Sequence, residues 1–227
     1  MTTRYMLMAM ALAATTPAVQ ASDLDLEGYV GVVSDYRDRG ISLSDKDFAA
    51  IGSVAAYHKS GLYGGMLAAT FDDRLGGQVE TEFFAGYRID KGTVIYDISG
   101  ELDMYHGDDG TRTLPGLRGS MARDFGLFFI RGGLAWSPEG RWHSPDVASL
   151  YAFSDLEVPV PNMPELTFIT RVGYDMRSDG RSNLWDWGVG LSAFLLDRVE
   201  LTLMYDDTSK NDPRASGTVS VGARFYF

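Results

Sequence analysis

Asp35, Arg37 and Arg39 occupy every second position of one short stretch. In a β-strand such residues share a face. A face of mixed charge near the end of a strand can select ions at a constriction. It can equally pair internally and hold a loop, because charge away from water must find a partner. The sequence leaves both readings open.

The same parity recurs further along. Glu80, Glu82, Asp97, Glu101, Asp103, Asp175, Asp186, Glu200 and Asp206 fall on the polar phase of alternating segments, together with Arg88, Arg171 and Arg224. Less regular segments add Arg118 and Arg131 to that phase. A face so polar cannot be a dry core. It holds water or a dense ion-pair network, and its acidic excess would favour cations.

Hydrolytic chemistry has little support. His58, His106 and His143 are the three histidines. One is expected near a short turn and two in loops. None sits in a nucleophile context such as Gly-x-Ser-x-Gly, so a solvated loop histidine is the simpler reading and no enzyme is expected. The adjacent acids Asp108-Asp109 and Asp206-Asp207 lack ligand spacing beyond adjacency. There is no cysteine, which excludes disulfides and thiolate metal sites. No metal and no cofactor is expected.

The elements that carry these residues follow from period-two alternation. Val219, Val221, Ala223, Phe225 and Phe227 oppose Thr218, Ser220, Gly222, Arg224 and Tyr226. Comparable alternation runs through 78–88, 93–104, 166–175, 185–193 and 199–206. Weaker strands are expected near 26–36, 48–58, 62–71, 115–123, 127–136 and 147–157. A helix with this pattern would scatter charge over every face. The total is twelve, an even number, as single-chain bacterial membrane barrels require. Connections alternate between short ones, such as Lys59-Ser60-Gly61, and longer ones, such as 38–47, 106–114 and 207–216. Aromatic residues mark both ends of the apolar face: Tyr87, Phe128, Phe168 and Phe227 at the short-turn end, Tyr36, Phe71, Trp136, Tyr174, Trp185 and Tyr205 at the other. Two such girdles fit headgroup levels of a bilayer. The alternative is a soluble barrel, which would bury the apolar face inside.

The first residues fit export. Arg4 precedes an apolar run from Tyr5 to Ala14, and Val19-Gln20-Ala21 offers small residues for cleavage after Ala21. The run is too short to span a membrane as a helix. The domain reading is therefore a cleavable signal peptide over 1–21 and an outer-membrane β-barrel over 22–227: an all-β, antiparallel up-and-down transmembrane barrel of about twelve strands. The net charge is −11, and no basic block appears, so nucleic acid is not an expected partner. A twelve-strand barrel has a backbone radius of about 12 Å, from the ~4.8 Å strand spacing and ~40° tilt. A narrow channel fits inside it.

Ser34-Asp35-Tyr36-Arg37-Asp38-Arg39-Gly40-Ile41-Ser42 resembles the opening motif of the TorF family of porins, in which Ser-Asp-Tyr-x-x-Arg-Gly-x-Ser follows the first strand. Ser60-Gly61-Leu62-Tyr63-Gly64-Gly65 is similar to that family's second hairpin. The last strand, ending on Phe227, looks like the carboxy-terminal signal read by the outer-membrane assembly machinery. These resemblances imply a bacterial outer-membrane barrel whose partners are membrane lipid, the assembly machinery and small polar or ionic solutes. They imply a barrel more firmly than transport. The function expected is a narrow passive channel with cation preference. The alternatives are a filled, non-conducting structural barrel and a lipid-modifying enzyme. The pore-lining candidates are Asp35, Arg37, Arg39, Glu80, Glu82, Asp97, Glu101, Asp103, Arg131, Arg171, Asp175, Asp186, Glu200 and Arg224.

Overall fold

The computed structural model describes residues 23–72, 77–142, 144–179 and 183–227. The leader expected over 1–21 and His143 lie outside them. The strands are β1 (Leu24–Val33), the short pair β2 (Arg37–Asp38) and β3 (Ile41–Ser42), β4 (Ala49–His58), β5 (Leu62–Thr70), β6 (Gly77–Lys91), β7 (Val94–Gly107) and β8 (Gly110–Asp124). They continue with β9 (Phe129–Ser137), the short pair β10 (Gly140–Arg141) and β11 (Ser144–Pro145), β12 (Ser149–Val160), β13 (Met163–Arg177), β14 (Leu184–Leu195), β15 (Val199–Thr208) and β16 (Thr218–Tyr226). Twelve of them close into a barrel in the order β1-β16-β15-β14-β13-β12-β9-β8-β7-β6-β5-β4. The β2–β3 and β10–β11 pairs are separate hairpins inside long loops.

All twelve expected strands are present. The Gly- and Arg-rich stretch 115–123 lies within β8, paired on both sides. Neighbours pair antiparallel, so each strand's alternation becomes a face of the wall. The apolar phase is on the outside: Val30, Phe83, Ile98, Leu117, Leu134, Leu191, Leu201 and Val221 are all exposed. The polar phase faces the lumen. An apolar exterior around a charged interior is the arrangement of a membrane barrel and the reverse of a soluble one. Closure falls between the first and last strands, where Gly28 and Phe227 exchange two backbone hydrogen bonds of 3.1 and 3.0 Å.

One expected loop is not a loop. β7 and β8 run on to Gly107 and Gly110 and are joined by Asp108 and Asp109 alone. Gly110 has φ +112°, which permits so tight a reversal. His106 therefore lies on a strand, with Nε2 2.8 Å from Thr81 Oγ1 and Nδ1 3.0 Å from Thr111 Oγ1.

Two girdle assignments are also corrected. Tyr36 and Phe71 do not face lipid. They join Leu43, Tyr105, Leu114 and Trp142 in an apolar cluster inside the loop end of the barrel. β1 stops at Val33, so strand alternation no longer governs Tyr36. Phe71 shares the parity of Ala69, which faces inward. Trp136 and Trp185 do sit exposed on the outer face at that end, and Tyr87, Phe168 and Phe227 at the other.

Candidate functional site

The site is built around the first long loop, L1 (34–48). Ser34 ends the β1 pairing: its N–H donates to Val221 O at 2.8 Å, and its Oγ accepts from Val221 N at 2.9 Å. The chain then turns into the barrel. Arg39 (φ +48°) and Gly40 (φ +75°) form the two-residue turn between β2 and β3. Two successive positive φ values are the requirement of a type I′ hairpin. Gly40 is needed twice over, since a Cβ there would also lie 2.7 Å from the backbone oxygen of Asp207.

Polar groups lock this hairpin. Arg37 meets Asp35 at 2.6 Å and also donates to the backbone oxygens of Gly40 and, at 3.1 Å, Ser216. Ser42 Oγ donates to the other Asp35 oxygen at 2.6 Å. Ile41 and Leu43 are 1% exposed. Burial, and then the charge and hydrogen bond of Glu80, push the Tyr36 phenol well above its ordinary value. The phenol stays protonated and donates to Glu80.

L1 crosses the lumen. It springs from β1, yet Arg39 pairs with Asp175 on β13 at 3.3 Å, donates to Ser149 on β12 at 3.2 Å, and stacks 4.0 Å over the Tyr151 ring. Those strands stand four and five places from β1 round the ring of twelve. On another side, Asp72 N–H donates to Leu43 O at 2.8 Å. Two further loops complete the closure. Arg141, from the loop 138–148 (L4), reaches Asp38 at 3.1 Å and Asp103 at 2.6 Å. Lys46 donates to Ser216 in the loop 209–217 (L6) at 2.5 Å, and Arg214 of L6 lies 4.6 Å over the Trp142 ring of L4.

Below this plug the lumen opens into a cavity of about 420 Å³. Arg88, Arg118 and Arg131 line it with Glu82, Asp97, Glu101, Tyr63, Phe84 and Phe153. Five wall arginines are paired. Arg88 meets Asp97 at 3.2 Å, Arg118 meets Glu101 at 2.8 Å and Arg131 meets Asp155 at 2.6 Å. Arg224 meets Glu200 at 3.1 Å. Arg171 meets Asp206 at 2.5 Å across two strands. Gly188 lies between them in the register, and a Cβ there would fall 2.4 Å from Asp206 Oδ1. A bare backbone at that position is what lets the pair form.

The structure thus divides the sequence candidates. Asp35, Arg37 and Arg39 belong to the plug, where Arg39 holds Asp175. Asp103 is tied to the plug through Arg141, and Glu80 through Tyr36. Asp97, Glu101, Arg131, Arg171, Glu200 and Arg224 are wall pairs, and Asp186 accepts from Tyr151 at 2.9 Å. Glu82 lines the cavity without an ion pair. Sequence reasoning missed Asp38, Arg141 and Asp155. Asp155 lies in the expected strand 147–157 on the inward phase, so parity could have found it. Asp38 and Arg141 sit in loops, where parity carries no information.

No Ser–His–acid array forms among the described residues. His58 Nδ1 lies 2.8 Å from Ser60 Oγ in an exposed turn, with no carboxylate on the other ring nitrogen. No group of three metal-ligating side chains is assembled among the described residues. Of the adjacent acids, Asp108 and Asp109 form a tight turn and Asp206 is taken by Arg171.

A closed twelve-strand barrel with an apolar exterior, a charged lumen and an inserted loop defines a β-barrel of the transmembrane type. The chain belongs to a family of bacterial proteins described as of unknown function (Gcw_chp), whose model matches residues 17–225. Among solved structures it is similar to the KdgM porin, at 12% identity and TM-score 0.55, covering 89% of this chain and 99% of that one. It is equally similar to the NanC porin, with the same identity, TM-score and coverage. A complex of the KdgM porin with disordered oligogalacturonate aligns at 11% identity and TM-score 0.55, again over 89% and 99% of the two chains. At such identity the likeness concerns the fold. No curated protein sequence matches the chain.

Proposed function

We propose that the protein is an outer-membrane, porin-like barrel that provides a narrow passage for small polar or ionic solutes and performs no catalysis. The observation that carries this reading is the charged, 420 Å³ cavity inside a closed barrel whose outer face is apolar. A wall that binds solutes weakly through several charged groups lets them enter and leave. The barrel class, the apolar exterior and the leader-like first residues support the outer membrane as its location. The opening motif supports kinship with the TorF porins, since each of its defining residues has a task in L1.

Cation preference rested on counting inward acids. That count loses its force once Arg118 and Arg131 on the wall and Arg39 and Arg141 from the loops are paired with those acids. A filled barrel is the second reading, and the buried L1 hairpin favours it. Single-channel recording of refolded protein separates the two. Stepwise conductance is expected from the full chain, rising when residues 36–43 are replaced by a short Gly-Ser turn. Silence from both proteins would eliminate the channel.

A further inference from the structure

In the wall ion pairs the arginine is the partner that meets the lumen. Side-chain exposure is 38% for Arg118 against 11% for Glu101, 43% for Arg131 against 20% for Asp155, and 35% for Arg171 against 4% for Asp206. Arg88 over Asp97 and Arg224 over Glu200 are ordered in the same way. The carboxylates lie back against the wall, and several are occupied there. Glu200 accepts from Ser192 at 2.8 Å and Tyr226 at 2.7 Å, and Asp97 accepts from Tyr63 at 2.8 Å.

The guanidinium groups are differently placed. Each carries five N–H donors in a fixed plane. Arg131 spends Nε and one terminal nitrogen on Asp155, and Arg88 spends Nε on Asp97. The Arg88, Arg118 and Arg131 side chains keep 21%, 38% and 43% of their surface exposed, which leaves part of each guanidinium open to the lumen. Each pair is neutral in sum but oriented, with its positive end toward the lumen. A solute at 3–4 Å feels the near end of such a dipole more strongly than the far one. Three of these pairs converge on one cavity against a single unpaired carboxylate, Glu82.

We infer that the passage selects small oxyanions, solutes bearing carboxylate, sulfate or phosphate groups, with Arg88, Arg118 and Arg131 as the residues that recognise them. This rests on the channel reading. It assigns selectivity to the orientation of neutral pairs and not to net lumen charge. Guanidinium forks match the paired oxygens of such groups.

The test is reversal potential across a planar bilayer in a potassium chloride gradient, with sulfate added as a competing oxyanion. Wild-type protein is expected to prefer chloride over potassium by up to about fivefold, the upper bound set by one full charge near contact distance in water. Millimolar sulfate is expected to reduce the chloride current. Glu82→Gln should raise the preference. The decisive variant is the double neutralisation Glu101→Gln with Arg118→Gln, which leaves net charge unchanged and no carboxylate stranded. Orientation predicts that it weakens anion preference and sulfate block; net charge predicts no change. Stepwise conductance with cation preference, or a double variant indistinguishable from wild type, would overturn the inference and leave the channel standing. Absence of conductance, with or without L1, would remove the channel reading itself.

Discussion

At the scale of single residues, the same chemical pair means different things at different depths. Arg141 pairs with Asp103, which is 2% exposed, and with Asp38. Arg112 meets Asp146 at 3.1 Å, but both are open to solvent. Arg141→Ala strands a buried carboxylate and is expected to cost about 3–5 kcal/mol. Arg112→Ala removes an exposed pair and is expected to cost no more than about 1 kcal/mol. Urea unfolding of the two variants, followed by the heat-dependent gel shift of the barrel, checks the contrast; equal midpoints would remove Arg141 from its structural role. Asp103 was legible from alternation because it lies on a strand. Its partner was not, because Arg141 comes from a loop whose path depends on what L1 offers it.

At the scale of elements, the strands were the legible part. Successive side chains alternate with a period of two, and lipid outside with charge inside makes that alternation visible in composition. Even the Gly- and Arg-rich stretch 115–123, a weaker expectation, lies within β8 and pairs on both sides. The wall therefore supports sharp expectations. Arg substituted for Phe83, Ile98 or Leu201 would point into lipid and is expected to cost about 2–4 kcal/mol near the midplane. The same substitution at Ser99, on the lumenal phase of β7, should cost much less, and refolding yield into vesicles measures the difference. A similar penalty at both phases would mean that the faces are reversed. The closing seam is as specific. Phe227 exchanges two hydrogen bonds with Gly28, and its ring lies on the outer face. Deleting Phe227 is expected to leave the chain exported but not inserted, seen as loss of the heat-modifiable form in membranes. Normal insertion would set aside the reading of this strand as an assembly signal.

At the scale of the whole molecule, the proposed function requires that a barrel wide enough for water be reduced to a narrow passage. The wall does not do it alone. L1 starts at β1, crosses the mouth and is tied at β12 and β13, while L4 and L6 brace it from above. None of this was readable from periodicity, because loop residues obey no parity; only the density of charge between Asp35 and Arg39 signalled it, and that signal fitted plug and constriction alike. The two roles separate energetically. If L1 is a buttress, loosening it weakens the barrel, because strands on opposite walls lose a common support. If it is a seat over an otherwise self-sufficient wall, loosening it opens the passage. The barrel has twelve antiparallel pairings that do not involve L1, so the second outcome is expected. Asp38→Asn with Arg39→Gln and Asp175→Asn releases the ties to Arg141 and to β13 together and strands no buried carboxylate. Unitary conductance should rise and become noisier as the hairpin leaves its seat, while the strand content by circular dichroism and the heat-modified mobility stay those of the wild type. Unchanged conductance with a lowered unfolding midpoint would instead make L1 a structural brace, and the constriction would then have to be sought lower, among Arg88, Arg118 and Arg131.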